Sequence, residues 1–129
     1  MPVNLSGGLR LRRCLIAVAL AATTFAAAAP AQAASALTIH GIISKYTLAA
    51  RFNAADVTAM KKIADYESHD HPTSHSAGCW GLFQLSTAMV KGHPWSDPVW
   101  NTKRAVKYVK SRYGSPVKAW AHIKKSGWY

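Results

Sequence analysis

Two stretches of the chain repeat apolar residues at helical spacing. After Asn53, the positions Val57, Met60, Ala64 and Glu67 follow at steps of three, four and three, while Lys61, Lys62 and Asp65 fall largely off that face. Asn53 suits a helix N-cap, and Asp56 sits in the first turn, where the helix dipole favours a negative charge. The second stretch opens with Asp97-Pro98, an N-cap followed by proline at the first helical position. Val99, Thr102, Val106, Val109 and Tyr113 continue it, and Gly114 ends it. Ser115-Pro116 starts another helix carrying Ala119, Trp120 and Ile123, which Gly127 closes ahead of Trp128-Tyr129. Residues 69–78 read as a polar loop. The apolar run Trp80–Leu85, with Gln84 beyond Phe83 inside it, reads as a strand or extended turn. Ser86 is expected to cap a short helix through Val90, and Lys91-Gly92-His93-Pro94 breaks the chain. Residues 34–44 mix small and aliphatic side chains without a clear period and read as a loose lead-in, with a short helix over Lys45–Phe52. The expected class is a predominantly helical α+β single domain: about four helices and one short extended element or hairpin.

The first quarter reads as a targeting segment. Arg10, Arg12 and Arg13 precede an alanine-rich apolar run from Cys14 to Ala29, and Ala31-Gln32-Ala33 is a small-x-small site. Residues 1–33 are therefore expected to be a secretory signal peptide cleaved after Ala33, with a retained membrane anchor as the competing reading. Residues 34–52 form the lead-in and residues 53–129 the domain. Cys14 would leave with the signal. Cys79 would then be a lone thiol, expected to act as a small buried hydrophobe beside Trp80, with a disulfide-linked dimer or a reactive thiol as the competing readings.

Composition narrows the chemistry. The 129 residues carry 16 Lys+Arg against 5 Asp+Glu, a formal charge of +11. Loss of Arg10, Arg12 and Arg13 with the signal lowers this to +8. Such a charge draws an exported protein to anionic cell-wall polymers; nucleic acid fits the charge but not the address. No stable membrane insertion is expected after cleavage, and the protein is expected to act as a monomer. Glu67 is the only glutamate in the chain. A mechanism requiring two glutamates and a carboxylate-rich metal cage are both excluded. His69, His71 and His75 cluster in sequence, but the loop offers no frame for a metal; neither a metal nor another cofactor is expected.

Glu67 lies on the apolar stripe at the end of its helix. A carboxylate there is paired, or protonated with a raised pKa, or curls out to water in the last turn. Five tryptophans and five tyrosines exceed what so small a core needs, and some are expected to line a groove, with simple core packing as the competing reading. Aromatic faces with a few polar groups suit carbohydrate.

Glu67-Ser68, Pro72, Ser76-Ala77-Gly78 and Gly81-Leu82-Phe83-Gln84 resemble the core motifs of the soluble lytic transglycosylase (SLT-type) family, within the lysozyme-like superfamily. The tail from Tyr108 to Pro116, then Ala119-Trp120-Ala121-His122 and Gly127-Trp128-Tyr129, is similar to small secreted actinobacterial members. The resemblance spans roughly residues 53–129. It implies a lysozyme-like fold and a secreted enzyme acting on peptidoglycan glycan strands, with Glu67 as the catalytic acid. Gln84 and the Gly81-Leu82-Phe83 backbone would line the substrate groove, and Ser68 would support Glu67. One departure matters: the family's alanine-tyrosine-asparagine motif is replaced by Ala119-Trp120-Ala121-His122. Tyr108 or Tyr113 would take the part of the missing phenol, or apolar packing alone would tune the carboxyl. Trp120 is retained as a substrate-binding candidate.

The implied reaction, cleavage between N-acetylmuramic acid and N-acetylglucosamine with formation of an anhydromuramic end, can run on one carboxyl. The rivals are a hydrolytic muramidase using Asp70 or Asp97 beside Glu67, a non-catalytic cationic wall-binding module, and a membrane-acting antibacterial cation.

Overall fold

The computed structural model describes residues 29–129, with side chains from residue 39 onward. The expected signal peptide, including Cys14, lies almost wholly outside these residues. The chain is mostly helical with a small three-stranded antiparallel sheet. Its elements are α1 (Ala29–Ala49), α2 (Ala54–Ser68), β1 (His75–Ser76), β2 (Cys79–Trp80), β3 (Leu85–Ser86), α3 (Thr87–Val90), α4 (Pro98–Tyr113) and α5 (Pro116–Ser126).

The stripe of α2 turns inward: Val57, Met60, Ile63, Ala64 and Glu67 are all buried. Asn53 and Asp56 form a reciprocal capping box, each side chain accepting from the other's backbone N–H. Asp56 also reaches α5 through the Val117 N–H at 3.3 Å. α4 is capped by Asp97, which accepts from the Val99 N–H at 2.8 Å, and ends at Gly114 with φ 82°. α5 is capped by Ser115, which accepts from the Lys118 N–H, and ends at Gly127 with φ 74°. Met60, Ile63, Leu82, Phe83, Val109 and Ile123 lie within one apolar core shared by the helices and the sheet.

Four expectations are corrected. Residues 34–44 are not a loose lead-in but belong to α1, whose Ile39, Ile43 and Thr47 are buried at four-residue steps and pack on α4 and α2. The expected cleavage point after Ala33 falls inside that helix. The loop 69–78 contains a strand, β1, which pairs with β2 in the register His75–Trp80 and Ser76–Cys79. Ala77 and Gly78, both at positive φ, make the two-residue connection that such a hairpin favours. Ser86 stands at the N-cap of α3, but its side chain makes no capping hydrogen bond. Finally, Cys79 is buried as expected, yet its sulfur is in a disulfide rather than free.

Candidate functional site

Glu67 occupies the last turn of α2 and is only 6% exposed. Among the described residues its carboxyl has no ion-pair or hydrogen-bond partner. Burial without a compensating charge pushes its pKa from 4.5 up to about 8. The carboxyl is therefore protonated at neutral pH and faces inward; the alternatives of pairing and of escape to water do not hold.

A phenol, Tyr129, lies close enough to sense its charge. Tyr129 is buried, and its hydroxyl donates to the Phe83 carbonyl. Its pKa is held well above the ordinary value, first by burial and then by the negative charge that Glu67, Tyr108 and Tyr113 would carry. Tyr108 meets Tyr129 edge-on at 5.7 Å and Tyr113 at 6.4 Å. Burial raises the Tyr108 phenol to about 12, against the opposing pull of Arg112 and with a smaller upward push from the Tyr113 hydroxyl. The array continues through His122, 5.3 Å from Tyr113 and 4.7 Å from Trp128. The exposed Arg112 guanidinium lies 5.6 Å from the Tyr113 ring and 5.7 Å from Trp128. It donates to the Tyr113 hydroxyl at 3.2 Å.

The turn between β2 and β3 is tied to this cluster through its backbone. Ser68 Oγ lies 2.7 Å from the Leu82 carbonyl and 3.1 Å from that of Ala64, joining the end of α2 to the turn. Asn101 of α4 accepts from the Phe83 N–H at 2.9 Å and donates to the Trp80 and Trp95 carbonyls at 3.2 and 3.0 Å. The Gln84 amide donates to the Ser74 and Gly81 carbonyls, and its backbone holds a positive φ of 46°. Gly81, at φ 80°, admits no side chain: a Cβ there would lie 2.5 Å from the Trp95 carbonyl and closer still to Asn101 Nδ2.

Tyr108 and Tyr113 are thus brought together beside Tyr129, the phenol that senses the Glu67 charge. Ser68, Gly81 and Gln84 act on the site by shaping the adjacent turn. The Leu82 and Phe83 side chains are fully buried core, so these residues offer a ligand only backbone. Trp120 stands apart: its ring meets Tyr66 edge-on at 6.1 Å, and it makes no ring contact with the phenol array. Sequence reasoning missed Asn101, Tyr129 and the link between His40 Nε2 and Asp70 Oδ2 at 2.8 Å, which joins α1 to the segment just after Glu67. A polar residue beside the apolar stripe of α4 and the terminal Trp-Tyr pair were the available signals for Asn101 and Tyr129.

A second aromatic group lies on the sheet. The His75 ring stacks on Trp80 at 5.4 Å, and Trp80 meets Trp95 at 5.0 Å. With Thr87, Val90, Lys91, Gly92 and His93 the two tryptophans line a cleft of about 370 Å³. Among the described residues no three His, Cys, Asp or Glu side chains come together to hold a metal ion, and no helix is long and apolar enough to cross a membrane. No protein-family model, no curated protein and no solved structure matches this chain.

Proposed function

We propose that this protein is a secreted lytic transglycosylase of lysozyme-like fold, acting on peptidoglycan glycan strands with Glu67 as its acid and base. The observation that carries the reading is the sole glutamate of the chain, buried without a counter-charge and held protonated at neutral pH by that burial. A general acid must be protonated at the working pH, and desolvation supplies this.

The chemistry balances with one carboxyl. Glu67 gives its proton to the glycosidic oxygen as the bond from C1 of N-acetylmuramic acid breaks, and the next sugar leaves as an alcohol. The substrate's own 2-acetamido oxygen bonds to C1 and carries the positive charge. The Glu67 carboxylate then takes the proton of the muramic 6-hydroxyl, whose oxygen displaces the acetamido group at C1. The ring closes as an anhydro sugar, no water is consumed, and Glu67 is again protonated. Two-carboxylate glycosidases need a second acid as nucleophile or base. Here the two aspartates of the hydrolytic reading are otherwise engaged: Asp70 is bonded to His40, and Asp97 caps α4. Tyr129, the phenol coupled to the Glu67 charge, with Tyr108 packed edge-on against it, is part of the surroundings that keep the carboxyl neutral.

Digestion of purified peptidoglycan with the wild type and with Glu67→Gln, followed by mass analysis, tests this. The expected result is fragments with anhydromuramic ends, each one water lighter than a hydrolytic product. Their yield should fall on the order of a hundredfold or more in the variant. Ordinary reducing ends would indicate hydrolysis, and undiminished lysis by Glu67→Gln would remove the enzyme reading altogether.

A further inference from the structure

One face of α4 carries charge that the Glu67 cluster does not use. Among the described residues the ion pairs are His40–Asp70 and His69–Asp65, so no described lysine or arginine is paired with a carboxylate. These cations are not evenly spread. Lys103, Arg104 and Lys107 lie on the side of α4 away from the buried Thr102, Ala105, Val106 and Val109. With Trp100, Val99 and Asp97 they line a hollow of about 480 Å³. Its single carboxylate, Asp97, is engaged in capping the helix. Trp100 is backed by the stacked ring of His93 at 5.0 Å. The charge continues beyond the hollow. Lys45 of α1 and Lys103 both lie over the Tyr46 ring, at 5.6 and 5.3 Å, and Lys110 lies over Phe52 at 5.7 Å. From Lys103 to Lys110 the row extends about 10 Å along the helix.

Like charges at helical neighbour spacing repel one another, and the aromatic rings offset only part of that. We propose that this hollow binds a phosphodiester polymer whose phosphates alternate with polyol or sugar units, the chemistry of a teichoic acid. A row of cations about 10 Å long matches a repeating anion better than a single one. Arg104 presents the planar fork that suits a phosphate, and the lysines serve as point charges beside it. The floor of Trp100 and Val99 lies among these charges. It gives an apolar surface to the C–H-rich unit between two phosphates, which a bare polyphosphate does not have and a stacked nucleic-acid duplex does not turn outward. No residue of the hollow belongs to the Glu67 cluster, so this surface holds the protein on the wall independently of cleavage.

Calorimetric titration with a purified glycerol-phosphate polymer at about 0.05 M salt, where screening is weak, tests the site. Three proteins are compared: the wild type, the triple variant Lys103→Gln/Arg104→Gln/Lys107→Gln, and the charge-matched control Lys118→Gln/Lys124→Gln/Lys125→Gln on α5. The α4 triple should bind about tenfold or more weakly, with a shallower dependence on salt, and the α5 triple should stay within about threefold of wild type. Trp100→Ala should weaken the glycerol-phosphate polymer several-fold while leaving binding of inorganic polyphosphate unchanged. Cleavage of short soluble glycans should be unchanged in the α4 triple, and polymer binding should be unchanged in Glu67→Gln, so this site and the cleavage reading can fail separately. Equal losses in the two triples would show that only net charge matters and would overturn the site. Equal wild-type affinity for duplex DNA carrying the same number of phosphates would overturn the polyol chemistry.

Discussion

Replacing Glu67 by glutamine should stabilise the protein, and by an amount that depends on pH. In the unfolded chain the carboxyl ionises near 4.5; in the folded chain burial holds it protonated up to about 8. Below pH 4.5 both states carry the proton and the residue is neutral in the balance. Between these values the unfolded state loses its proton while the folded state keeps it, so folding binds a proton and stability falls as pH rises. Each pH unit in that window costs about 1.4 kcal/mol. The penalty reaches roughly 3 kcal/mol at pH 7 and levels off near 5 kcal/mol above pH 8, as upper bounds for a carboxyl with a small solvent opening. Glutamine has nearly the same shape as the protonated acid and cannot ionise. The variant should therefore match the wild type near pH 4 and exceed it at pH 7 by more than about 1 kcal/mol. For a domain of this size that is a rise in melting temperature of at least several degrees. Urea unfolding of both proteins at pH 4, 5, 6, 7 and 8 reads the difference directly. Parallel stability curves across the window would refute the reasoning, because they would mean that Glu67 is ionised and solvated in the folded state.

The turn beside Glu67 gives two further expectations. Gly81→Ala combines a positive φ with a Cβ inside contact distance of Trp95 and Asn101; it should cost more than about 3 kcal/mol or prevent folding, whereas Gly92→Ala, also at positive φ but with open space around it, should cost about 1 kcal/mol by thermal unfolding. Asn101→Leu keeps the branched shape but strips one acceptor and two donated bonds from buried backbone groups, so denaturant unfolding should show a loss of about 2–4 kcal/mol, and a loss below about 0.5 kcal/mol would mean that water replaces the amide.

The parts of this fold that were legible in the sequence are those whose causes are local. The capping box of Asn53 and Asp56, the Asp97-Pro98 and Ser115-Pro116 starts and the glycine stops at 114 and 127 act within one turn, and each stands where its residue type suggested. The inward stripe of α2 was legible because its apolar residues keep strict helical steps. The first half of α1 was not, because the small residues before Ile39 carry no contrast of polar and apolar positions. The strands are two residues each, too short for alternation to show, and their pairing rests on the Ala77-Gly78 turn. At Cys79 the buried thiol was preferred to the disulfide because a cysteine in an apolar run looks the same whether it packs or bonds.

The site divides in the same way. That Glu67 lies on a buried face could be seen from its own helix. Whether it stays there is decided elsewhere in the chain. The Phe83 carbonyl is held by Tyr129, 46 residues further on, and the Phe83 N–H by Asn101, 18 residues further on. The neighbouring Leu82 carbonyl is held by Ser68, next to the acid itself. Three side chains remote from one another in sequence therefore each fix one backbone group of a two-residue stretch, and none of the three bonds follows from a periodic pattern. Their joint effect is to hold the end of α2 and the β2–β3 turn at a set separation, with Tyr129 closing the space near the carboxyl. Loosening any one bond lets water toward Glu67, and water lowers the pKa that burial raises. The rigidity of the turn and the protonation of the acid are thus one property, set by side chains that are remote in sequence and polar in type.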